Sequence, residues 1–131
     1  MKRSELRAFI GPAQLGAING FCRGEEGDHF RALLAEFAAR IAAMPKTYEQ
    51  DGLGMEAVAH LHYFTGGGDW YITEKDSDPD GAGQVQAFGS ANLGYGAELG
   101  YISIEELLDA GAELDLYFTP RPLSSITKAA A

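Results

Sequence analysis

Residues 57–64 read Ala-Val-Ala-His-Leu-His-Tyr-Phe, and this stretch decides the fold because the hydrophobic period of the chain changes there. Before it, residues 28–44 repeat apolar side chains at intervals of three and four, the pattern of an amphipathic helix that Asp28 caps and Pro45 ends. Within it, side chains alternate with the period of two that is typical of a strand. One predicted strand face carries Val58, His60, His62 and Phe64, and the other carries Ala57, Ala59, Leu61 and Tyr63. This change predicts helices followed by a sheet, an α+β fold.

The remaining patterns complete this fold. We expect an antiparallel meander of four or five strands, with the helix at 28–44 packed on one face. Ser103 and Glu106 form an S-x-x-E capping box, which predicts a short helix before the last strand. The further predicted strands are Trp70–Thr73, Gln84–Ala91, Leu99–Ser103 and Leu114–Phe118. A chain of 131 residues is expected to form a single domain, here with a helical part at 1–45 and a sheet part at 57–120.

The net charge of −9 is concentrated in one part of the chain. Glu49–Phe118, which we call the acidic segment, contains fourteen Asp or Glu residues and one basic residue, Lys75, so it carries −13. Binding to nucleic acid without sequence preference requires clustered Lys and Arg. The charge pattern therefore predicts no direct nucleic-acid binding and favours a protein partner with a basic surface.

The chain carries features expected of a cytoplasmic protein. Cys22 is its only cysteine, so no intramolecular disulfide can form, which fits a reducing compartment. The basic N-terminus lacks the apolar run of a signal peptide, and no apolar run approaches the ~20 residues of a membrane span. We therefore expect a cytoplasmic location without membrane association.

Residues 76–81, Asp-Ser-Asp-Pro-Asp-Gly, match the first half of a calcium loop. The carboxylates of Asp76, Asp78 and Asp80 alternate as a hard cation requires, so they are candidate metal ligands. The twelfth position, where a bidentate Glu closes such a loop, is Ala87. The pattern therefore favours a solvated acidic hairpin loop that holds calcium weakly at most.

His60 and His62 are a second pair of candidate metal ligands, since two imidazoles on one strand face suit a transition metal. A site needs a third ligand, and no carboxylate lies at a diagnostic spacing. The apolar neighbours Val58 and Phe64 instead indicate a partly buried face packed on a helix. We interpret both histidines as structural and expect no cofactor or metal.

Several segments of the second half occur in the order typical of one family. They are Trp70–Glu74, Ala87–Gly89, Asn92–Gly94, Glu98–Leu107 and Glu113–Phe118. From Leu61 to Leu123 the chain resembles the family called domain of unknown function 2958. The members of that family are small bacterial proteins often encoded on plasmids, phages and other mobile elements. The resemblance implies a bacterial cytoplasmic protein, an accessory product of a mobile element, and supplies no activity or catalytic residue.

Two functions fit these observations. The first is a non-catalytic interaction protein, one form of which is a nucleic-acid mimic whose carboxylates copy a phosphate array. Its candidate partner-binding residues are Asp76, Asp78, Asp80, Glu98, Glu105 and Glu106. The second is a small-ligand or metal-binding enzyme with its site between the long helix and the sheet. The sequence favours the first, because it contains no recognisable catalytic motif and nominates no catalytic residue.

Overall fold

The computed structural model describes residues 3–50, 52–76 and 84–130 and confirms the α+β architecture. A short 3-10 helix, Arg3–Ala8, precedes the first α-helix, and another, Gly54–Glu56, precedes the first strand. The α-helices are α1 (Pro12–Phe21), α2 (Gly27–Ala43), α3 (Ile104–Asp109) and α4 (Leu123–Ala130). The strands are β1 (Val58–Ala59), β2 (Leu61–Thr65), β3 (Gly68–Glu74), β4 (Ala87–Asn92), β5 (Ala97–Ile102), β6 (Glu113–Leu114) and β7 (Arg121–Pro122). None of the helices in the described ranges has the length and apolar character needed to cross a membrane.

The main sheet has five antiparallel strands in the order β5-β4-β3-β2-β6, as the meander pattern predicts. Consecutive strands are neighbours from β2 to β5, and α3 carries the chain across to the opposite edge, where β6 pairs with β2. β1 and β7 form a separate two-stranded sheet. In the edge strand β5 only Ile102 is buried, and the other five residues are exposed or partly exposed.

The hydrophobic core lies on one side of the main sheet, which we call the helix face. α2 contributes Leu34, Phe37 and Ile41, and they join one buried cluster with strand residues such as Leu61 and Ile72. Phe37 is 0 % exposed. Because these residues sit on the predicted stripe of the helix, the expected packing of this helix on the sheet is confirmed.

The opposite side of the sheet, the second face, is partly covered by the C-terminal segment. Leu123 and Ile126 of α4 form a smaller buried cluster with Ala59 and Phe118. Arg40 of α2 reaches this segment and donates a hydrogen bond of 2.8 Å to the Phe118 carbonyl. α4 was not predicted, although Leu123 and Ile126 show the three-residue spacing of a helix.

The predicted face of the first strand breaks at His60, which lies between β1 and β2. Ala59 packs with Phe118 on the second face, whereas Leu61 joins the core on the helix face. The expectation that Ala59 and Leu61 share a face is therefore wrong. His62 lies in β2 beside buried neighbours on the helix face, so its own side chain points to the second face, away from α2.

Two predicted element ends also differ from the structure. α2 begins at Gly27 rather than at a cap on Asp28, and a Cβ atom at Gly27 would lie 2.3 Å from the Cys22 carbonyl oxygen. The strand predicted at Leu114–Phe118 is β6 in the structure, and it ends at Leu114. The Asp115 carboxylate accepts a hydrogen bond of 3.0 Å from the Tyr117 backbone amide, and this local turn ends the strand.

Replacement of Phe37 by Ala is expected to lower the free energy of unfolding by ~3–5 kcal/mol, because the substitution removes burial and leaves a cavity. The matched control is Phe21→Ala, since Phe21 is 54 % exposed. That variant should cost less than ~1 kcal/mol. Chemical denaturation followed by circular dichroism measures both. Equal costs for the two variants would contradict the packing of α2 on the sheet.

Candidate functional site

A cleft of about 400 Å³ opens on the second face of the sheet, beside the part that α4 covers. We call it the Glu74 cleft. Its floor is formed by β3, β4 and β5, and one wall is formed by the loop that follows α2. The principal lining residues are Thr47, Tyr48, Glu74, Phe88, Leu99 and Tyr101. The interface of α2 with the sheet, where the sequence placed the alternative site, is instead filled by the buried core.

The wall of the cleft is held against the end of β3 by backbone hydrogen bonds. The Thr47 amide donates to the Lys75 carbonyl at 2.9 Å, and the Lys75 amide donates to the Pro45 carbonyl at 2.9 Å. Tyr48 follows with a φ of +78°, and it is the only non-glycine residue with a positive φ in the described ranges. A left-handed conformation is unfavourable for a tyrosine, so the surrounding contacts must hold it.

Gln50 joins this wall to the sheet through its side chain and its backbone. Its side-chain amide donates to the Thr73 carbonyl at 2.8 Å and exchanges hydrogen bonds with the Val58 backbone, at 3.1 Å and 3.0 Å. Its backbone amide donates to Glu74 Oε2 at 2.6 Å. One residue therefore ties β1, β3 and the Glu74 carboxylate together.

Glu74 is a nearly buried acid at the inner end of the cleft, and it is 4 % exposed. The Gln50 amide satisfies one of its carboxylate oxygens. Within residues 3–50, 52–76 and 84–130, no Lys, Arg or His forms an ion pair with this carboxylate. A buried carboxylate is costly unless it is well hydrogen-bonded or paired with a cation.

Aromatic side chains form the outer part of the cleft. The hydroxyl groups of Tyr48 and Tyr101 lie 2.6 Å apart, so the two residues bridge the wall and the edge strand β5. Their rings meet at 78° with centroids 6.5 Å apart, and Phe88 meets Tyr101 at 88° and 5.7 Å. Both tyrosines are more than half exposed. The cleft thus combines a buried carboxylate with a rim of aromatic rings at right angles.

A second polar group on this face surrounds His62. Its Nδ1 lies 3.0 Å from Asp115 Oδ2, and its Nε2 lies 2.8 Å from Asp69 Oδ1. The ring stacks on Tyr71 at 4.5 Å and 8°, and burial is the main cause that raises the pKa of Tyr71 above its ordinary value. Because both ring nitrogens are occupied, His62 has no free nitrogen to bind a metal or a substrate. The interpretation of His62 as a structural histidine stays a prediction.

The candidate metal ligands that belong to the described residues, His60, His62 and Asp76, do not form one group. The imidazoles of His60 and His62 have different surroundings, since His60 lies near Arg40 and His62 lies between Asp69 and Asp115. Asp76 uses its Oδ2 to accept hydrogen bonds from the amides of Val85 and Gln86, at 3.2 Å and 3.0 Å. Asp78 and Asp80 lie outside the described residues. In the part of the chain that is described, no three His, Cys, Asp or Glu side chains form a group able to hold a metal ion.

The other predicted partner-binding residues are exposed, on β5 and on the helix that follows it. Glu98 lies on the edge strand β5, and Glu105 and Glu106 lie in the first turn of α3, directly after that strand. Ser103 caps α3 as predicted, because its Oγ accepts a hydrogen bond of 3.1 Å from the Glu106 amide. These three acids are free of intramolecular ion pairs among the described residues.

The sequence did not identify the residues that build the Glu74 cleft. Gln50 and Glu74 are 24 positions apart, and neither belongs to a motif. The only feature of the sequence that points to the cleft is Glu74, an acid directly after the predicted strand residues 70–73. The comparisons with protein-family models, with curated proteins and with solved structures gave no match. The resemblance to domain of unknown function 2958 therefore stays a prediction.

Excess chelator is expected to leave the thermal midpoint of the protein unchanged, because the candidate ligands described here serve other hydrogen bonds. A metal that binds only the native state adds its binding free energy to stability. The measurement is differential scanning calorimetry with and without chelator. A fall of several degrees would show that a metal stabilises the native protein.

The stability of the protein should depend on pH through His60. Burial, with a smaller contribution from the Arg40 guanidinium, lowers the pKa of His60 below its ordinary value of 6.5. The unfolded state then binds the proton more readily than the folded state. The contribution of neutral His60 to the free energy of unfolding is therefore complete above about pH 6.5, and it decreases as the pH falls through the lowered pKa. The difference in unfolding free energy between wild type and His60→Gln should therefore shrink below pH 6.5. A difference that stays constant from pH 8 to pH 5 would contradict this environment for His60.

Proposed function

We propose that this protein is a non-catalytic interaction protein whose acidic segment binds the basic surface of another protein. The observation that carries the proposal is a set of exposed acids that form no ion pair with any described residue. In the described part of the acidic segment, these include Glu98, Glu105, Glu106, Asp109 and Glu113. Such acids remain available to a partner, which they attract over a distance of about 8 Å at physiological salt.

Lys75 and two arginines of α2 make contacts that do not involve these acids. Lys75, the one basic residue of the acidic segment, donates through Nζ to the carbonyls of Ile41 and Ala42, at 2.8 Å and 3.3 Å. It therefore satisfies the C-terminal end of α2. The ion pairs Arg31–Asp28 and Arg40–Glu36 both lie within α2 and neutralise no acid of the segment.

Exposed apolar and aromatic side chains lie in β5, the strand of Glu98, and in the turn before it. Tyr95 is 96 % exposed in the turn before β5, and Leu93, Leu99 and Tyr101 are also exposed. Large side chains of this kind supply contact area in protein interfaces, while surrounding charges guide the encounter. The resemblance to a family of mobile-element proteins supports a bacterial cytoplasmic setting for this interaction.

The test uses two matched double variants, each of which removes two adjacent exposed glutamates at the start of a helix. Glu105→Gln with Glu106→Gln changes the acidic segment, and Glu25→Gln with Glu26→Gln changes the N-terminal part. The immobilised proteins capture partners from bacterial lysate at low and high salt. We expect the first variant to weaken capture about threefold at low salt, with a smaller effect at high salt, because exposed charges contribute modestly and are screened.

The control variant should capture the same proteins as wild type. If both double variants and the wild type recover identical proteins in identical amounts, these acids are not part of an interface. If the wild type retains DNA at physiological salt, the proposal of a basic protein partner is wrong.

A further inference from the structure

The Glu74 cleft has a charge that the described part of the molecule does not balance. The Glu74 carboxylate is 4 % exposed and has a single hydrogen bond, from the Gln50 amide to Oε2. The second oxygen, Oε1, has no hydrogen-bond donor among the described residues, and the residue borders the cleft. No buried side-chain oxygen of the described residues lacks a hydrogen-bond partner, so Oε1 is accessible from the cleft, where a cation from solution can pair with it.

The rim of the cleft selects one type of cation. Three aromatic rings lie at the opening, and Tyr101 stands nearly perpendicular to both Tyr48 and Phe88. The faces of aromatic rings attract ammonium and guanidinium groups, and rings set at right angles can contact such a group from more than one side. A hard metal ion is disfavoured, because it requires several anionic or carbonyl oxygen ligands and Glu74 is the only acid among the described residues that line the cleft.

We propose that the Glu74 cleft binds an organic cation, an alkylammonium or guanidinium group. The carboxylate of Glu74 pairs with its charge, and Tyr48, Phe88 and Tyr101 enclose its carbon atoms. A volume of about 400 Å³ lies within the range of small-molecule sites, about 300–1,000 Å³, so the cleft admits more than a bare head group. The cation belongs either to a free small molecule or to a Lys or Arg side chain of another protein.

The tyrosine bridge is part of the rim of this site. The hydroxyl–hydroxyl contact of Tyr48 and Tyr101 spans the opening, and both side chains are exposed to water that competes for the same hydrogen bond. This site goes beyond the proposed protein interaction and stands even if the exposed acids of α3 and β5 bind no partner.

The experiment is a titration of the isotope-labelled protein, followed by the backbone amide signals in two-dimensional NMR. The probes are choline, its neutral isostere 3,3-dimethylbutan-1-ol, and the capped amino acids N-acetyl-lysine amide and N-acetyl-arginine amide, with sodium chloride as the ionic-strength control. At least one cation should cause saturable shifts at Tyr48, Gln50, Glu74 and Tyr101. The neutral isostere should bind at least tenfold more weakly than choline if choline is the cation that binds.

Substitutions then separate the charge from the shape of the cleft. Glu74→Gln keeps an acceptor for the Gln50 amide, and it should weaken cation binding about tenfold through loss of the charge-assisted contact. Tyr101→Leu should weaken it about threefold through loss of one ring. Glu49→Gln is the matched control, because Glu49 is exposed, immediately follows Tyr48 and does not line the cleft. It should change the affinity by less than about twofold.

The outcomes distinguish the source of the cation and can overturn the proposal. Tighter binding of choline than of the capped amino acids assigns the site to a free small molecule, and the reverse order assigns it to a side chain of a protein. If Glu74→Gln does not fold, the proposal is tested by the Tyr101→Leu variant and by the comparison of each cation with the neutral isostere. Three results would each refute the site. No cation causes saturable shifts, or the shifts are confined to residues outside the cleft, or wild type and a folded Glu74→Gln variant bind equally.

Discussion

The hydrogen bond from the Gln50 amide to the Glu74 carboxylate is the constraint on which the second face of this molecule depends. It fixes the loop after α2 against β3, and the side chain of Gln50 extends the attachment to Thr73 and Val58. Without that loop the cleft would lose one wall. The contacts that hold Tyr48 at a positive φ would also be lost. The same contact places a carboxylate where water reaches it poorly, which gives the cleft its chemical character.

The two faces of the sheet have different tasks. The helix face is filled by apolar side chains of α1, α2 and the strands, and it supplies the stability of the domain. The second face is only partly covered, by Leu123 and Ile126 of α4, and it carries the polar groups around His62 and Glu74. Burial of one face leaves the other partly exposed to solvent, and the edge strand β5 extends that exposed surface to Glu98.

Local sequence patterns predicted the parts of the fold that depend on local interactions. The stripe that contains Phe37 indicated α2, and Ser103 with Glu106 indicated the start of α3, since both signals lie within a few residues. The two polar groups of the second face could not be predicted in this way, because Gln50 and Glu74 are 24 positions apart and His62 and Asp115 are 53 apart. The break at His60 could not be predicted either. The alternating pattern does not indicate that Ala59 packs against the C-terminal segment.

The central claim is that the Glu74 carboxylate and the aromatic rim together form a site for an organic cation. A crystal structure of the protein grown with the tightest-binding cation probe tests this most directly. The account predicts the cationic nitrogen within about 6 Å of the ring centres of Tyr101 or Phe88 and in contact with the Glu74 carboxylate. An empty cleft in crystals grown at saturating cation, or a cation bound only at exposed acids outside the cleft, would contradict it.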